Sequence, residues 1–285
     1  MAVLSVQSHV VLGHVGNAAA VFALQRLGCE VWPLNTVQFS NNTAYPRVEG
    51  EVFTAEVLQR TFEGLAANTD LAGCRAVLTG YLGSAALGEA VLEAVAAVKV
   101  ANPAALWLCD PVMGTTGKGL FVKEEVAAFF SGPVIAQSDI LAPNLFELSR
   151  LTGLEAHDAD SAVVAARRLI AQGPPVVLVT SVPSDHRHAR GTGALAVTAE
   201  KAWQVATPLI DFELAVGGTG DLFTALFLAR HLTGRPLPEC LSLAVSALYA
   251  VLQETQRQGR REMALVAAQE ALVQPPDIFP PVLIA

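Results

Sequence analysis

The sequence predicts an α/β fold built on a mostly parallel sheet with helices on both faces. Three observations carry that expectation. Short apolar segments of strand character alternate along the chain with helical segments of about 10–15 residues. Of the 285 residues, 52% are hydrophobic and only 15% charged, a balance that suits strands buried on both faces. Apolar runs such as Leu241 to Leu252 reach about 12 residues, short of the roughly 18 a membrane span needs, so the apolarity has to be buried within the fold.

Val3 to Val6 reads as a short buried strand, followed by a loop holding Gly13 and Gly16. Asn17 to Leu27 is Ala-rich with one apolar face and ends at Gly28, a helix with its stop signal. Glu30 to Val37 reads as a strand, and Ser40-Asn41-Asn42-Thr43 as a polar loop. Ala55 to Ala67 is an amphipathic helix, Ala76 to Thr79 a strand ending at Gly80-Tyr81, and Ala85 to Val100 a helix. Ala105 to Cys109 is a strand that runs into Asp110-Pro111. Ile140-Leu141 is a short strand before Pro143, Asn144 to Leu151 a short helix, and Ser161 to Gln172 another. Val176 to Thr180 is a strand; Ala194 to Thr198 and Ala202 to Ala206 form an antiparallel pair. Gly220 to His231, Leu237 to Glu254 and Glu262 to Leu272 read as helices, and Pro275 to Pro281 as a terminal strap. With no repeat and no Ser/Gly-rich linker, residues 1–285 read as one domain.

Composition excludes several classes. Disordered chains are poor in apolar residues, which this one is not. Lys and Arg number 18 against 26 Asp and Glu, net charge −8, so there is no cationic excess for a nucleic-acid backbone. No basic segment precedes the first apolar run, so no secretory leader is expected. Cys29, Cys74, Cys109 and Cys240 are widely spaced with no CxxC pair, which reads as buried thiols in a reducing cytoplasm.

In open α/β sheets, ligands sit beyond the carboxyl ends of the strands, and the chemically interesting residues cluster there. Gly217-Gly218-Thr219-Gly220-Asp221 opens an apolar helix. Glycines let backbone approach a ligand, and free N–H groups at a helix start attract anions. Asp221 is either an N-cap or a general base for a hydroxyl meeting a phosphoryl group. Asp110 follows a strand directly, and Asn144 and Glu147 share a face on a first helical turn. These side chains either organise Mg²⁺ beside substrate phosphates or cap their elements. The segment Gly114-Thr115-Thr116-Gly117-Lys118-Gly119 fails the P-loop pattern, and Gly13-His14-Val15-Gly16 fails GxGxxG. His186 and His188 flank Arg187 in a polar stretch that reads as solvated.

Taken in order, these segments resemble the pyridoxal kinases of the ribokinase-like superfamily. The matching stretches are Gln7-Ser8-His9-Val10-Val11 with Gly13 to Ala19; Trp32 to Asn41, containing Asn-Thr-Val-Gln-Phe-Ser; Gly80-Tyr81-Leu82-Gly83; Cys109 to Gly114; Ala142 to Leu148; and Gly218-Thr219-Gly220-Asp221. They span nearly the whole chain. The last element marks only the superfamily, whereas Ser-His-Val-Val with Asn-Thr-Val-Gln-Phe-Ser is far more specific to pyridoxal kinases.

The resemblance implies a three-layer α/β/α sandwich and ATP-dependent phosphorylation of the 5′-hydroxyl of pyridoxal. Asp221 is then the base, and Gly218, Thr219 and Gly220 form the anion hole. Ser8, Thr43 and Ala44 bind the substrate, and Tyr81 covers its ring. Asp110 and Glu147, with Asn144, surround Mg²⁺ and the ATP phosphates. Ala142, Thr180 and the run Thr207, Pro208, Leu209 and Ile210 match nucleotide-contacting positions. The Lys118 loop resembles a flap. K⁺ near the anion hole and a homodimer follow from the same resemblance. Asn42 stands where the family commonly has His, and Thr180 where some relatives have Lys. Other readings are a hydroxymethylpyrimidine or other small-alcohol kinase, which typically carries Cys in place of Asp221, and a non-catalytic binder of B6 vitamers.

Overall fold

A computed structural model of the chain describes residues 1–184 and 190–285; His186, Arg187 and His188 lie outside the described residues. The core of the fold is a ten-stranded sheet. In chain order its strands are β1 (Ala2–Leu12), β2 (Glu30–Asn41), β3 (Gly50–Val52), β4 (Cys74–Thr79), β5 (Leu106–Cys109), β8 (Ile140–Leu141), β9 (Val176–Ser184), β10 (Gly191–Val197), β11 (Ala202–Pro208) and β12 (Val282–Leu283). Across the sheet the order is β12-β11-β10-β9-β8-β5-β4-β1-β2-β3. The block β9-β8-β5-β4-β1-β2 is parallel, and the outer strands on both sides are antiparallel. The predicted α/β fold is therefore observed, with antiparallel edges.

Side chains alternate across the sheet, so each strand feeds two cores. Leu4, Val77, Trp107, Leu141, Val177 and Leu195 pack on one face against α2 (Ala55–Asn68), α3 (Ala85–Ala101), α4 (Glu124–Phe130), α5 (Pro133–Gln137), α6 (Leu145–Thr152) and α7 (Ala159–Ile170). Val3, Leu78, Leu108, Ile140, Leu178 and Ala196 pack on the other against α1 (Asn17–Arg26), α8 (Thr219–His231), α9 (Leu237–Arg257) and α10 (Gln269–Val273). Local signals start these helices: the Thr54 and Ser84 hydroxyls cap α2 and α3, and Asp158 with Ser161 forms a capping box on α7. Helix α8 is buried almost all round, from Leu222 to Arg230, because it runs between α1 and α9. The guanidinium of Arg230, held down near 10 by burial, donates to the Leu226 and Leu272 carbonyls at 3.0 and 2.6 Å.

Several boundaries differ from the sequence expectation. Glu262 to Leu272 is not one helix; only Gln269–Val273 is helical there. Met263, Ala264 and Leu265 are consecutive and all fully buried, which one face of a helix cannot achieve, and the Ala264 N–H is taken by Thr255 Oγ1 at 2.9 Å. Strand β2 absorbs Ser40 and Asn41 because its end pairs with β3, a short exposed strand that carries no apolar alternation. The flap is a separate hairpin of β6 (Gly114–Thr115) and β7 (Gly119–Leu120). The tail is a strap as expected: Ser242 Oγ donates to the Phe279 carbonyl at 2.6 Å, the Phe279 N–H to Ser246 Oγ at 2.9 Å, and β12 pairs with β11. All four cysteines are free and buried. Among the described residues no helix is long and apolar enough to cross a membrane.

Candidate active site

The carboxyl ends of β1, β4, β5, β8 and β9 open on one edge of the sheet, and the start of α8 is brought to the same edge. Its key contact is long-range: the Gly16 N–H donates to Asp221 Oδ2 at 2.7 Å. Asp221 is not an N-cap. That position belongs to Gly218, and Asp221 lies in the first turn of α8, where the helix dipole favours a negative charge. Gly218 has φ 84°, and a Cβ there would run into the His14 carbonyl. Gly16 has φ 55°, and a Cβ there would strike Ser8. Only glycine lets the anion loop, the 13–16 loop and the end of β1 approach this closely.

Asp110 follows β5 and faces the anion loop, since a Cβ on Gly220 would lie 3.2 Å from its Oδ2. It is 7% exposed. Burial, with the charges of Glu147 and Asp221 beside it, pushes its carboxyl well above the usual range. Burial likewise raises Asp221, opposed by the Gly16 N–H.

Glu147 is committed differently. It closes a capping box with Asn144: the Asn144 N–H donates to Glu147 Oε2 at 2.9 Å and the Glu147 N–H to Asn144 Oδ1 at 3.0 Å. Glu147 Oε1 also accepts the Met113 N–H at 2.9 Å and the Gly114 N–H at 3.4 Å. Asn144 Nδ2 donates to the Gly114 carbonyl at 2.8 Å, so the pair latches the flap hairpin to α6. Burial raises Glu147 to about 7, against the lowering effect of these N–H groups. The capping box that the sequence allowed is formed by this pair. Among the described residues no group of His, Cys, Asp or Glu side chains gathers as a ready-made metal site.

The remaining predicted residues line the same edge. Ser8 sits where the β1–β2 register slips between Gln7 and His9, and such slips re-aim side chains. Beneath it lies a buried polar network that sequence reasoning missed: Ser5 Oγ donates to Asn17 Oδ1 at 2.7 Å, Gln7 Nε2 to Ser5 Oγ at 3.1 Å, and Asn17 Nδ2 to Asn35 Oδ1 at 2.8 Å. The available signal was the polar alternation Ser5, Gln7 inside an apolar strand. Tyr81 follows β4; its carbonyl accepts from Thr36 Oγ1 at 2.8 Å, and burial raises its phenol. Thr43 and Ala44 are exposed on the loop after β2.

Asn144 bridges to Thr180 in parallel register. Pro208 is level with Gly191 and Ser184, and Thr207 with Thr192 and Pro183, so Thr207 and Pro208 lie about 10 and about 13 Å further along the ladder than Thr180. Leu209 and Ile210 continue from that edge, and Leu209 is 40% exposed. Ala142 is buried in the core, and the Thr207 hydroxyl donates to the Thr192 carbonyl at 3.3 Å.

Comparison with known proteins agrees with this arrangement. The family model described as phosphomethylpyrimidine kinase matches residues 20–265. The chain is 48% identical over 279 residues to a protein of Rubrobacter xylanophilus named pyridoxal kinase PdxY, covering 98% of this chain and 96% of that one. It is 45% identical over 272 residues to the protein of the same name from Pseudomonas savastanoi, covering 95% and 94%. Among solved structures, pyridoxal kinase from Leishmania donovani in complex with ADP and pyridoxamine superposes with a TM-score of 0.92 at 31% identity, covering 100% of this chain and 99% of that one. With relatives of this identity along nearly its full length, the chain belongs to the pyridoxal kinase family of ribokinase-like proteins.

Proposed function

We propose that the protein transfers the γ-phosphoryl group of ATP to the 5′-hydroxyl of pyridoxal, giving pyridoxal 5′-phosphate and ADP. The observation that carries this reading is the placement of Asp221 beside the Gly218–Gly220 loop at a helix start, with its carboxylate held by Gly16. The substrate O–H bond breaks and its proton passes to Asp221, while the same oxygen forms a bond to phosphorus. The bond from phosphorus to the bridging oxygen breaks, and ADP leaves. Burial makes Asp221 a better proton acceptor than an exposed aspartate. Backbone N–H groups of Gly218, Thr219 and Gly220 face the charge on the transferring group. Ser8, Thr43 and Ala44 orient the heterocycle, and the Tyr81 ring offers it a flat apolar face. Thr180 lies beside the phosphate end of the nucleotide, and the run from Thr207 to Ile210 beside its base.

The donor set fits Mg²⁺ at Asp110. That carboxylate is buried between two others, and hard divalent cations take oxygen ligands, often few from the protein and the rest from water and phosphate. Asp110 would hold the ion, with Glu147 fixing the loop behind it rather than turning an oxygen toward it. The ion would neutralise phosphate charge. K⁺ enters on the family resemblance alone, and no residue set is assigned to it. One kinase domain over residues 1–285, acting as a homodimer in the cytoplasm, completes the proposal; the single continuous sheet supports one domain, the four free thiols support a reducing compartment, and the homodimer rests on the family resemblance.

The test is ATP-dependent conversion of pyridoxal with Mg²⁺ and K⁺, followed by the absorbance of the product. Turnover by the wild type and loss of about 10²–10⁴-fold in kcat on Asp221→Ala are expected. A wild type without turnover, or an Asp221→Ala variant that matches it, overturns the reading. The description of the matching family model favours one second reading, a pyrimidine-alcohol kinase. It predicts a higher kcat/KM for hydroxymethylpyrimidine than for pyridoxal.

A further inference from the structure

Thr43 and Ala44 are exposed, and an exposed loop that binds a flat heterocycle loses affinity if it must be ordered on each encounter. The other end of the chain holds this loop down. Arg261 Nη2 donates to the Ala44 carbonyl at 2.7 Å. The same guanidinium lies over the Tyr45 ring, 3.6 Å from its centroid. Next to it Glu262, only 8% exposed, interacts with the Tyr45 hydroxyl and packs against Gly13. Within the loop the Ala44 N–H donates to Asn42 Oδ1 at 2.8 Å, and the Asn42 amide nitrogen rests on Gly217.

The anchor itself is rigid. Met263, Ala264 and Leu265 are fully buried, and Met263 Cε lies beside Gly218. Three segments distant in sequence therefore meet: the loop after β2, the 13–16 loop that holds Asp221, and the turn after α9. Arg261 and Glu262 lie in the non-helical turn between α9, which ends at Arg257, and α10, which begins at Gln269.

We propose that Arg261 is a positioning residue for the alcohol substrate, clasping the Asn42–Tyr45 loop so that its substrate-binding backbone is fixed before the substrate arrives. The inference rests on the pyridoxal kinase reading for its substrate. It is specific to arginine, because one planar guanidinium stacks on the tyrosine and reaches the carbonyl together, which a lysine ammonium does not. It also assigns the effect to one substrate. The clasped loop follows β2, five strands across the sheet from the β9 that carries Thr180.

Arg261→Ala is expected to raise KM for pyridoxal about tenfold, equivalent to about 1.4 kcal/mol, with KM for ATP and kcat changed by less than about twofold. Arg261→Lys recovers little of the loss. Tyr45→Ala has a similar effect, and the double variant is no worse than either single one, because both remove the same clasp. Amide hydrogen exchange of the 42–49 segment, measured without ligands, is faster in Arg261→Ala than in the wild type. The proposal is overturned if KM for ATP rises in parallel, if the two substitutions multiply, or if exchange is unchanged. A wild type that fails to phosphorylate pyridoxal overturns the function, whereas the exchange measurement still decides the clasp.

Discussion

Gly218 and Gly28 offer a controlled comparison of what the anion loop requires. Both have left-handed backbone, φ 84° and 83°, so an alanine at either meets the same intrinsic penalty of about 1–2 kcal/mol. Part of that is returned by the stiffer unfolded chain, about 0.4–1 kcal/mol. Gly28 closes α1 with nothing within 4 Å of where a Cβ would stand. Gly28→Ala should therefore cost about 1 kcal/mol and leave turnover unchanged. At Gly218 the added methyl would overlap the His14 carbonyl, with Met263 Cε 2.9 Å away on another side. A backbone carbonyl cannot swing aside as a side-chain tip can, so overpacking adds about 1–3 kcal/mol, for a total of about 2–4 kcal/mol. The strain is relieved by moving the start of α8 away from the 13–16 loop, which separates Asp221 from the Gly16 N–H. A misplacement of about 1 Å in a reacting geometry costs on the order of 10²-fold in rate. Urea denaturation of both variants gives the stability difference, and kcat/KM for pyridoxal gives the catalytic one. If Gly218→Ala loses no more stability than Gly28→Ala, or loses stability with kcat/KM intact, the claim that close loop contact sets the site is wrong.

Glu147→Ala leaves the Met113, Asn144 and Gly114 N–H groups without their acceptor, while relieving the burial of a carboxylate; a net loss of about 2 kcal/mol is expected, read by chemical denaturation without Mg²⁺. A gain in stability would show that repulsion from Asp110 outweighs the latch. The pH dependence follows from the same residue. Its folded carboxyl is raised to about 7 from an ordinary 4.5, so the folded state holds a proton the unfolded state has released. Its contribution is full below pH 4.5 and is lost as pH rises through about 7. The thermal midpoint of the wild type minus that of Glu147→Gln should fall over that window in Mg²⁺-free buffer. Taking the difference cancels His231, whose pKa burial lowers. A flat or rising difference contradicts the assignment.

Most of the fold was legible because its signals are local. The strands β4, β5 and β8 are short, mostly apolar runs, and Asp110, Asn144 and Glu147 stand where such runs end; of β1 (Ala2–Leu12) only the apolar start, Val3 to Val6, was legible, because Ser5, Gln7, Ser8 and His9 break the apolar pattern. The Asn144–Glu147 spacing even allowed the capping box that forms. What was not legible depends on contacts far apart in sequence. The Asp221 carboxylate is held by the N–H of Gly16, 205 residues away. The hold on Ala44 comes from Arg261, 217 residues away. The false helix over Glu262 to Leu272 has the same origin. Its composition suits a helix, but burial of consecutive residues around Met263 against the anion loop overrides that preference.

The three carboxylates of the site solve the problem of gathering like charges in different ways. Glu147 is surrounded by backbone N–H groups and serves as a latch. Asp221 has one N–H and the start of α8, enough to hold its orientation while burial keeps its proton affinity high. For Asp110 burial and two neighbouring charges act together, with no lowering influence set against them. Among the described residues none of the three is in an ion pair. A chain of net charge −8 that is to hold a polyanionic nucleotide beside three acids would, in the proposed function, rely on backbone N–H groups and on the Mg²⁺ proposed at Asp110. Of the three positions, Asp110 is the one whose charge the protein leaves uncompensated. The lack of a cationic excess that first argued against nucleic acid thus has a counterpart at the site: glycines and a helix start stand beside the three acids, and Arg261 binds the Ala44 carbonyl and the Tyr45 ring, a role of shape rather than of phosphate binding in the clasp proposed above.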